Sequence, residues 1–232
     1  LDSSKIASSN NIVVESSQVK LSTISHSLIL RPNGVGSETN ISYQYPSSGE
    51  HWDKVDEETA DDDSTYVWED RYYEETWKRD LYLLPDTSES GTIEKVVVYF
   101  KARREEEITE CPPRIKASIR THSTTYDSSS YVEPSYSYSL YSFEWTNNPY
   151  TDQPWTWQEI NDLEAGVNLA GIDCEAFSGT PRVTQVYVEV YYSTYHTSGS
   201  FQSTNLLEGQ SVGPIWSFSY YLSSLPDGTS AK

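Results

Sequence analysis

The chain has 232 residues, 35 of them acidic and 16 basic, for a formal charge of −19 at pH 7. That charge excludes nucleic acid and anionic membrane surfaces as partners, because both repel it. No apolar run approaches the ~20 residues of a membrane helix, so no membrane insertion is expected. Hydrophobic residues make up only 36%, but 19 Tyr, 7 Trp and 5 Phe supply large apolar faces. A chain of this length can bury a sizeable core with them.

The composition also bears on location. Met is absent, so Leu1 is not a translation start, and either the chain has been trimmed or a leader has been removed. Abundant Ser, Thr and Tyr with no thioether fits an oxidising exterior. An extracellular or cell-surface location follows, with a virion as the alternative. One sequon, Asn40-Ile41-Ser42, makes Asn40 a candidate glycosylation site in that setting.

Residues 1–11 are polar and Ser-rich. Residues 12–31 read as extended chain, with Val13, Val14, Val19, Leu21 and Ile24 spaced by polar residues. Leu28-Ile29-Leu30 is a continuous apolar run, as in a strand buried on both faces. Arg31-Pro32-Asn33-Gly34 then predicts a turn. An acidic loop follows over 48–63, and Thr65–Trp68 reads as a strand. Residues 69–80 mix charges with aromatics and read as a helical turn or decorated loop. Asp80–Leu84 is a strand stopped by Pro85, and Ile93–Arg103 is the clearest strand of all.

Cys111 lies beside Pro112-Pro113, and Cys174 lies in a loop-like stretch ending at Pro181. They are either two separate thiols or one disulfide. A disulfide would close a loop worth about 4 kcal/mol in the chain-entropy picture. Ile115–Thr121 alternates again, and the Ser/Tyr-rich stretch 126–143 carries further short strands. Thr156-Trp157-Gln158-Glu159 has the pattern of a capping box. It opens a short helix near 156–165, with Trp157, Ile160 and Leu163 on one face and Gly166 at its end. Arg182–Tyr192 is the last strong strand. The tail offers two more aromatic strand candidates, Ile215–Tyr221 and one around Phe201.

Short strands, frequent turn signals and one isolated helix predict an all-β fold: an antiparallel β-sandwich, jelly-roll-like. Its body is placed at 26–195. Residues 1–25 form an extended N-terminal segment and 196–232 a strand-forming tail.

Several motifs recur together in order. They include Leu30-Arg31-Pro32-Asn33-Gly34, Trp52-(x)2-Val55-Asp56-Glu57, and Asp61-Asp62-Asp63-Ser64-Thr65-Tyr66-Val67. Tyr99-(x)2-Ala102-Arg103, Trp145-(x)2-Asn148-Pro149-(x)5-Trp155-Thr156, Asn161-(x)4-Gly166-Val167 and Arg182–Val188 complete the set. Over about 30–192 the chain resembles a family of uncharacterised β-rich proteins encoded by tailed phages and by bacterial and archaeal genomes. The resemblance implies a virion or cell-surface structural protein with a lectin-like or jelly-roll sandwich, and it implies no catalytic residues.

No nucleophile elbow, zinc-protease helix or phosphate-binding loop is present, and no enzyme is expected. Asp56, Glu57, Asp61, Asp62 and Asp63 are hard oxygen donors that would suit Ca²⁺. The alternative is a solvated loop whose carboxylates bond turn amides. Trp68, Trp77, Trp155, Trp157 and Trp216 could form a stacking platform for a cell-surface glycan, although Trp145, Trp155 and Trp157 read as core. The leading expectation is self-assembly into a filament, sheath or surface layer. In it, Val13, Val14, Val19, Leu21 and Ile24 add as a strand to a second copy; the alternative is that 12–30 is the first strand pair of its own domain. A phage tail or head-decoration protein and a carbohydrate-binding module are the alternatives.

Overall fold

A computed structural model of the chain describes residues 6–15, 18–106, 110–174 and 177–203. In chain order the strands are β1 (Ile6–Asn10), β2 (Ile12–Glu15), β3 (Gln18–Leu21), β4 (Thr23–Leu30), β5 (Gly34–Thr39), β6 (Tyr43–Tyr45), β7 (Tyr66–Trp68), β8 (Arg71–Tyr72), β9 (Lys78–Leu83) and β10 (Thr92–Arg104). There follow β11 (Arg114–Thr121), β12 (Thr124–Asp127), β13 (Ser139–Trp145), β14 (Asn147–Asn148), β15 (Gln153–Pro154), the helix α1 (Trp157–Asn161), β16 (Glu164–Cys174), β17 (Phe177–Gly179), β18 (Pro181–Tyr195) and β19 (Ser200–Ser203).

The chain divides into two compact units. The larger comprises 27–89 and 93–191, and it is an all-β sandwich. One sheet runs β13-β10-β18-β7-β6, with β4 also on β18. The other runs β12-β11-β16-β9-β5, with β8 and β17 also on β16. β10 with β13, β11 with β16 and β9 with β16 pair antiparallel, whereas β8 runs parallel to β16. Successive strands mostly change sheets, as from β9 to β10 to β11, which is the jelly-roll habit.

The central strands carry the apolar runs seen in the sequence. Val96, Val98 and Phe100 of β10, Val186, Val188 and Val190 of β18, and Ile115, Ala117 and Ile119 of β11 are all buried. Val167 and Leu169 of β16 and Leu81 of β9 join them. Burying each larger side chain contributes about 1.5–3 kcal/mol.

The helix forms where its capping box lies. Thr156 Oγ1 accepts from the Glu159 amide, and Glu159 Oε2 accepts from the Thr156 amide at 2.8 Å. It ends at Asn161, however, and Gly166 lies inside β16 rather than at a helix C-terminus. The reason is close packing. A Cβ at Gly166 would sit 2.0 Å from the Asp80 carbonyl oxygen of the neighbouring β9.

Three further readings change. Leu28-Ile29-Leu30 is not buried on both faces, because Ile29 is 49% exposed while Leu30 is buried. An outer strand position leaves that face to solvent. Residues 69–80 hold no helical turn but β8 and the start of β9, since these residues pair with β16 and the charges face outward or find partners. β5 and β6, which carry little apolar patterning, form by pairing with β9 and β7.

The smaller unit draws on 1–26, 90–92 and 192–232. Within its described residues β1 pairs with β19, and β2 and β3 make a hairpin with Ile12 opposite Leu21 and Val14 opposite Val19. The strand expected around Phe201 is β19. Ile215–Tyr221 lies outside the described residues.

Candidate functional site

The acidic loop is held by its backbone. Arg31 Nη1 donates to the Glu57 carbonyl at 2.7 Å, and Gln185 Nε2 donates to the same oxygen at 2.6 Å. The Val186 amide donates to the Val55 carbonyl at 2.7 Å. Two short 3₁₀ turns, His51–Lys54 and Asp62–Ser64, fold the loop against β18 and β7.

Its carboxylates are brought to different partners. Asp62 Oδ1 accepts from Lys101 Nζ at 2.7 Å. Asp63 Oδ1 accepts from Arg103 at 3.0 Å, Arg182 at 3.4 Å and the Tyr138 hydroxyl at 3.1 Å. Burial alone would push the Asp63 carboxyl up, but the Arg103 hydrogen bond and charge outweigh it and hold it below the usual range. Asp61 Oδ1 accepts from the Thr65 amide at 3.2 Å, which is the turn-amide role.

Asp56 and Glu57 behave oppositely. Burial pushes both carboxyls up, and neighbouring acids add to it. Glu57 Oε1 and Asp61 Oδ1 lie 2.7 and 2.8 Å from the Thr65 hydroxyl, which has one proton for the two. Glu57 Oε2 is buried without a hydrogen-bond partner. The Glu57, Asp61 and Thr65 oxygens are therefore the hard donors that converge, whereas Asp62 and Asp63 already face protein cations. Among the described residues no group of three or more His, Cys, Asp or Glu side chains is placed to hold a metal ion.

Two polar clusters were missed in the sequence. Arg79 makes a fork to Asp127, 2.9 Å to each oxygen, and reaches Glu38 at 3.0 Å. Ser118 and Asn168 complete the Asp127 shell at 2.6 and 3.1 Å. Burial raises the Asp127 carboxyl, but Arg79, Ser118 and Asn168 overcome that and lower it. Asp80, fully buried, accepts from the Ile41 amide at 2.9 Å and from His51 Nδ1 at 2.6 Å. Alternation on β9 and β11 marks these as strand positions. Only the β11-β16-β9 register brings Ser118, Asn168 and Arg79 to one place.

The aromatic candidates separate. Trp155 is buried, with Nε1 donating to the Trp145 carbonyl at 3.0 Å, as a core residue should. Trp145 and Trp157 are half-buried. Trp68 is stacked by Tyr43 at 4.3 Å, and Lys116 lies 4.6 Å over Trp77. The five candidates are not gathered on one face by any contact seen here, and Trp216 lies outside the described residues. Asn40 is exposed just after β5. Cys111 and Cys174 are joined as a disulfide, with Cα atoms 6.3 Å apart, which resolves the alternative left open above.

Of the five assembly candidates, Val13 is 40% and Ile24 38% exposed, and Val14 and Leu21 are half-buried. The Val19 side chain lies outside what is described. The segment is a hairpin in the single chain rather than one long extended strand.

At the sandwich edge, β13 pairs over all seven residues with β10, from Val96 opposite Trp145 to Ala102 opposite Ser139. Tyr141 and Phe143 stack toward Phe100, with centroids 5.7 and 6.3 Å away. Leu140, on the other face, is 53% exposed. A cleft of about 280 Å³ opens beside this strand, lined by Tyr126, Phe143, Glu144, Trp145 and Pro149 among others.

No protein-family model and no curated protein matches the chain. The functional reading therefore rests on these residues and their arrangement. No helix among the described residues is long and apolar enough to cross a membrane, and the disulfide is compatible with an oxidising exterior.

Proposed function

We propose that this is a non-catalytic structural protein of the cell exterior that assembles with copies of itself by strand addition. The observation that carries the reading is the make-up of the smaller unit. Besides the ends of β4 and β18, its described residues hold two two-stranded sheets, β1 with β19 and β2 with β3. A two-stranded ribbon is marginal in water and gains stability by joining further strands. Val13 remains exposed on the β2–β3 ribbon, and Ile24 is exposed at the start of β4. Unpaired strand edges with apolar side chains are what strand addition uses, main-chain bonds giving affinity and alternate side chains giving register.

A contact that passes from one copy to the next without closing would build a filament or sheath. The same physics serves a virion component. Charge favours these readings over open aggregation, since a body of −19 keeps copies apart except where the surface is neutral. Calcium at the Glu57–Asp61–Thr65 oxygens would strengthen such an assembly by relieving local repulsion.

The test is negative-stain electron microscopy and light scattering of the full chain, with and without a calcium chelator, beside a variant lacking residues 1–25. Filaments or sheets that vanish in the truncated variant are expected. Assemblies unchanged by the truncation, or monomers at every concentration, would overturn the reading. Loss on chelation would place a cation in the assembly.

A further inference from the structure

We infer that the acceptor for strand addition is the β13 edge of the sandwich, and that its occupant is the β2–β3 hairpin of a second copy. This rests on the assembly reading above and names its two surfaces.

The edges of the two large sheets are not equivalent. β4 has eight residues and pairs with β18, but it is divided between the two units at His26 and Ser27. β6 has three residues and runs into Pro46, and a short edge closed by Pro resists pairing. β12 has four residues, and β5 pairs with β9 through an irregular register. β13 has seven residues in unbroken register with β10, and among the described residues no strand lies on its other side. It carries no Lys or Pro, the usual guards of an edge.

Charge selects the partner. The sequence 1–30 has two acids, Asp2 and Glu15, balanced by Lys5 and Lys20, so the whole −19 resides in 31–232. The stretch 134–143, which includes most of β13, has no charged residue at all. Glu144 at the end of β13 is paired with Lys95 at 2.8 Å. Two copies of a strongly acidic body meet at lowest electrostatic cost where a neutral segment lies on a neutral edge.

The faces agree as well. Register puts Ile12 opposite Leu21, and Val14 shares their face two positions along. On β13 the aromatic row Tyr141, Phe143 and Trp145 shares the inner face and is only half covered. A hairpin added to β13 continues that apolar row with Ile12, Val14 and Leu21. It sets Val13 on the outer face, where Leu140 is exposed. The cleft beside Phe143 and Trp145 receives an apolar side chain of the incoming strand.

The experiment places a benzophenone amino acid at Leu140 in the full chain and mixes it with isotopically labelled full chain before irradiation. Cross-links from position 140 to residues 12–21 of the labelled copy are expected. L140K, at an exposed position, is expected to raise the concentration needed for assembly at least tenfold with unchanged thermal unfolding. Assemblies that form but cross-link 140 to another region, 140 of a second copy included, overturn this acceptor while leaving self-assembly intact. Cross-links confined within one chain also overturn it. A chain that stays monomeric overturns both the acceptor and the assembly reading.

Discussion

The sandwich and the smaller terminal unit are made of similar strands but differ in how those strands are completed. In the sandwich, β10, β16 and β18 each have neighbours on both sides, and their inward residues are buried. Its buried Asp80 and half-buried Asp127 carboxylates are met by named partners. In the terminal unit β1 with β19 and β2 with β3 stop at two strands, and Val13 stays exposed. A strand with neighbours on both sides has its main-chain groups paired, whereas a two-stranded ribbon leaves both of its outer edges open to further pairing. On the assembly proposal, the difference gives the two regions different tasks, one to hold shape and one to join.

The largest test of that contrast is the disulfide. Cys174→Ala removes a bridge across 63 positions and should lower sandwich stability by about 4 kcal/mol. Calorimetry should show the main transition moving while assembly at low temperature persists. Asp80→Ala comes next. It leaves the Ile41 amide and His51 without their acceptor in a buried place, and about 3 kcal/mol should be lost in denaturant unfolding. If either change leaves unfolding untouched, the sandwich is not the self-sufficient half.

Acid should act on the sandwich with a predictable sign. Asp127 is held below its unfolded value, so its stabilisation is full above about pH 4 and is lost as pH falls through the lower folded value. Asp127→Asn should therefore flatten the acid side of the Tm–pH curve. Glu57 is raised by burial, so its contribution is present below about pH 4.3 and is lost as pH rises through the folded value. Glu57→Gln should raise Tm near neutral pH and change little at pH 3. An opposite sign in either curve would mean that these carboxyls do not sit as described.

The smallest stability effect is expected in the terminal unit, where it should accompany the largest effect on association. Val13→Lys replaces a 40% exposed side chain and should change unfolding by under ~0.5 kcal/mol. Light scattering should nonetheless show weaker assembly. A variant that unfolds easily but assembles normally would reverse the comparison.

Much of the fold was legible because it is written locally. Period-two alternation of Val and Ile located β10, β11 and β18, and the Thr156–Glu159 pair located the helix start, since both signals act within a few residues. The helix end was misread because Gly166 reports a close approach by Asp80, a residue distant in sequence. Ile29 was misread because three apolar residues in a row do not say how many sides a strand has covered. The Arg79–Asp127 cluster left no signal, since its members, Glu38 included, lie on five strands and meet only through register.

The same division holds for the candidate site. By itself the sequence determined an acidic, aromatic, all-β chain, with a neutral apolar N-terminal segment and an acidic loop. These follow from composition and short-range pattern. Only the tertiary structure decided that the two cysteines join, that Asp62 and Asp63 face Lys101, Arg103 and Arg182, and that 12–21 folds as a hairpin. It alone showed that β13 is a seven-residue sheet edge whose described pairing is with β10 alone. Pairing partners and edges are properties of long-range register, which no local pattern encodes.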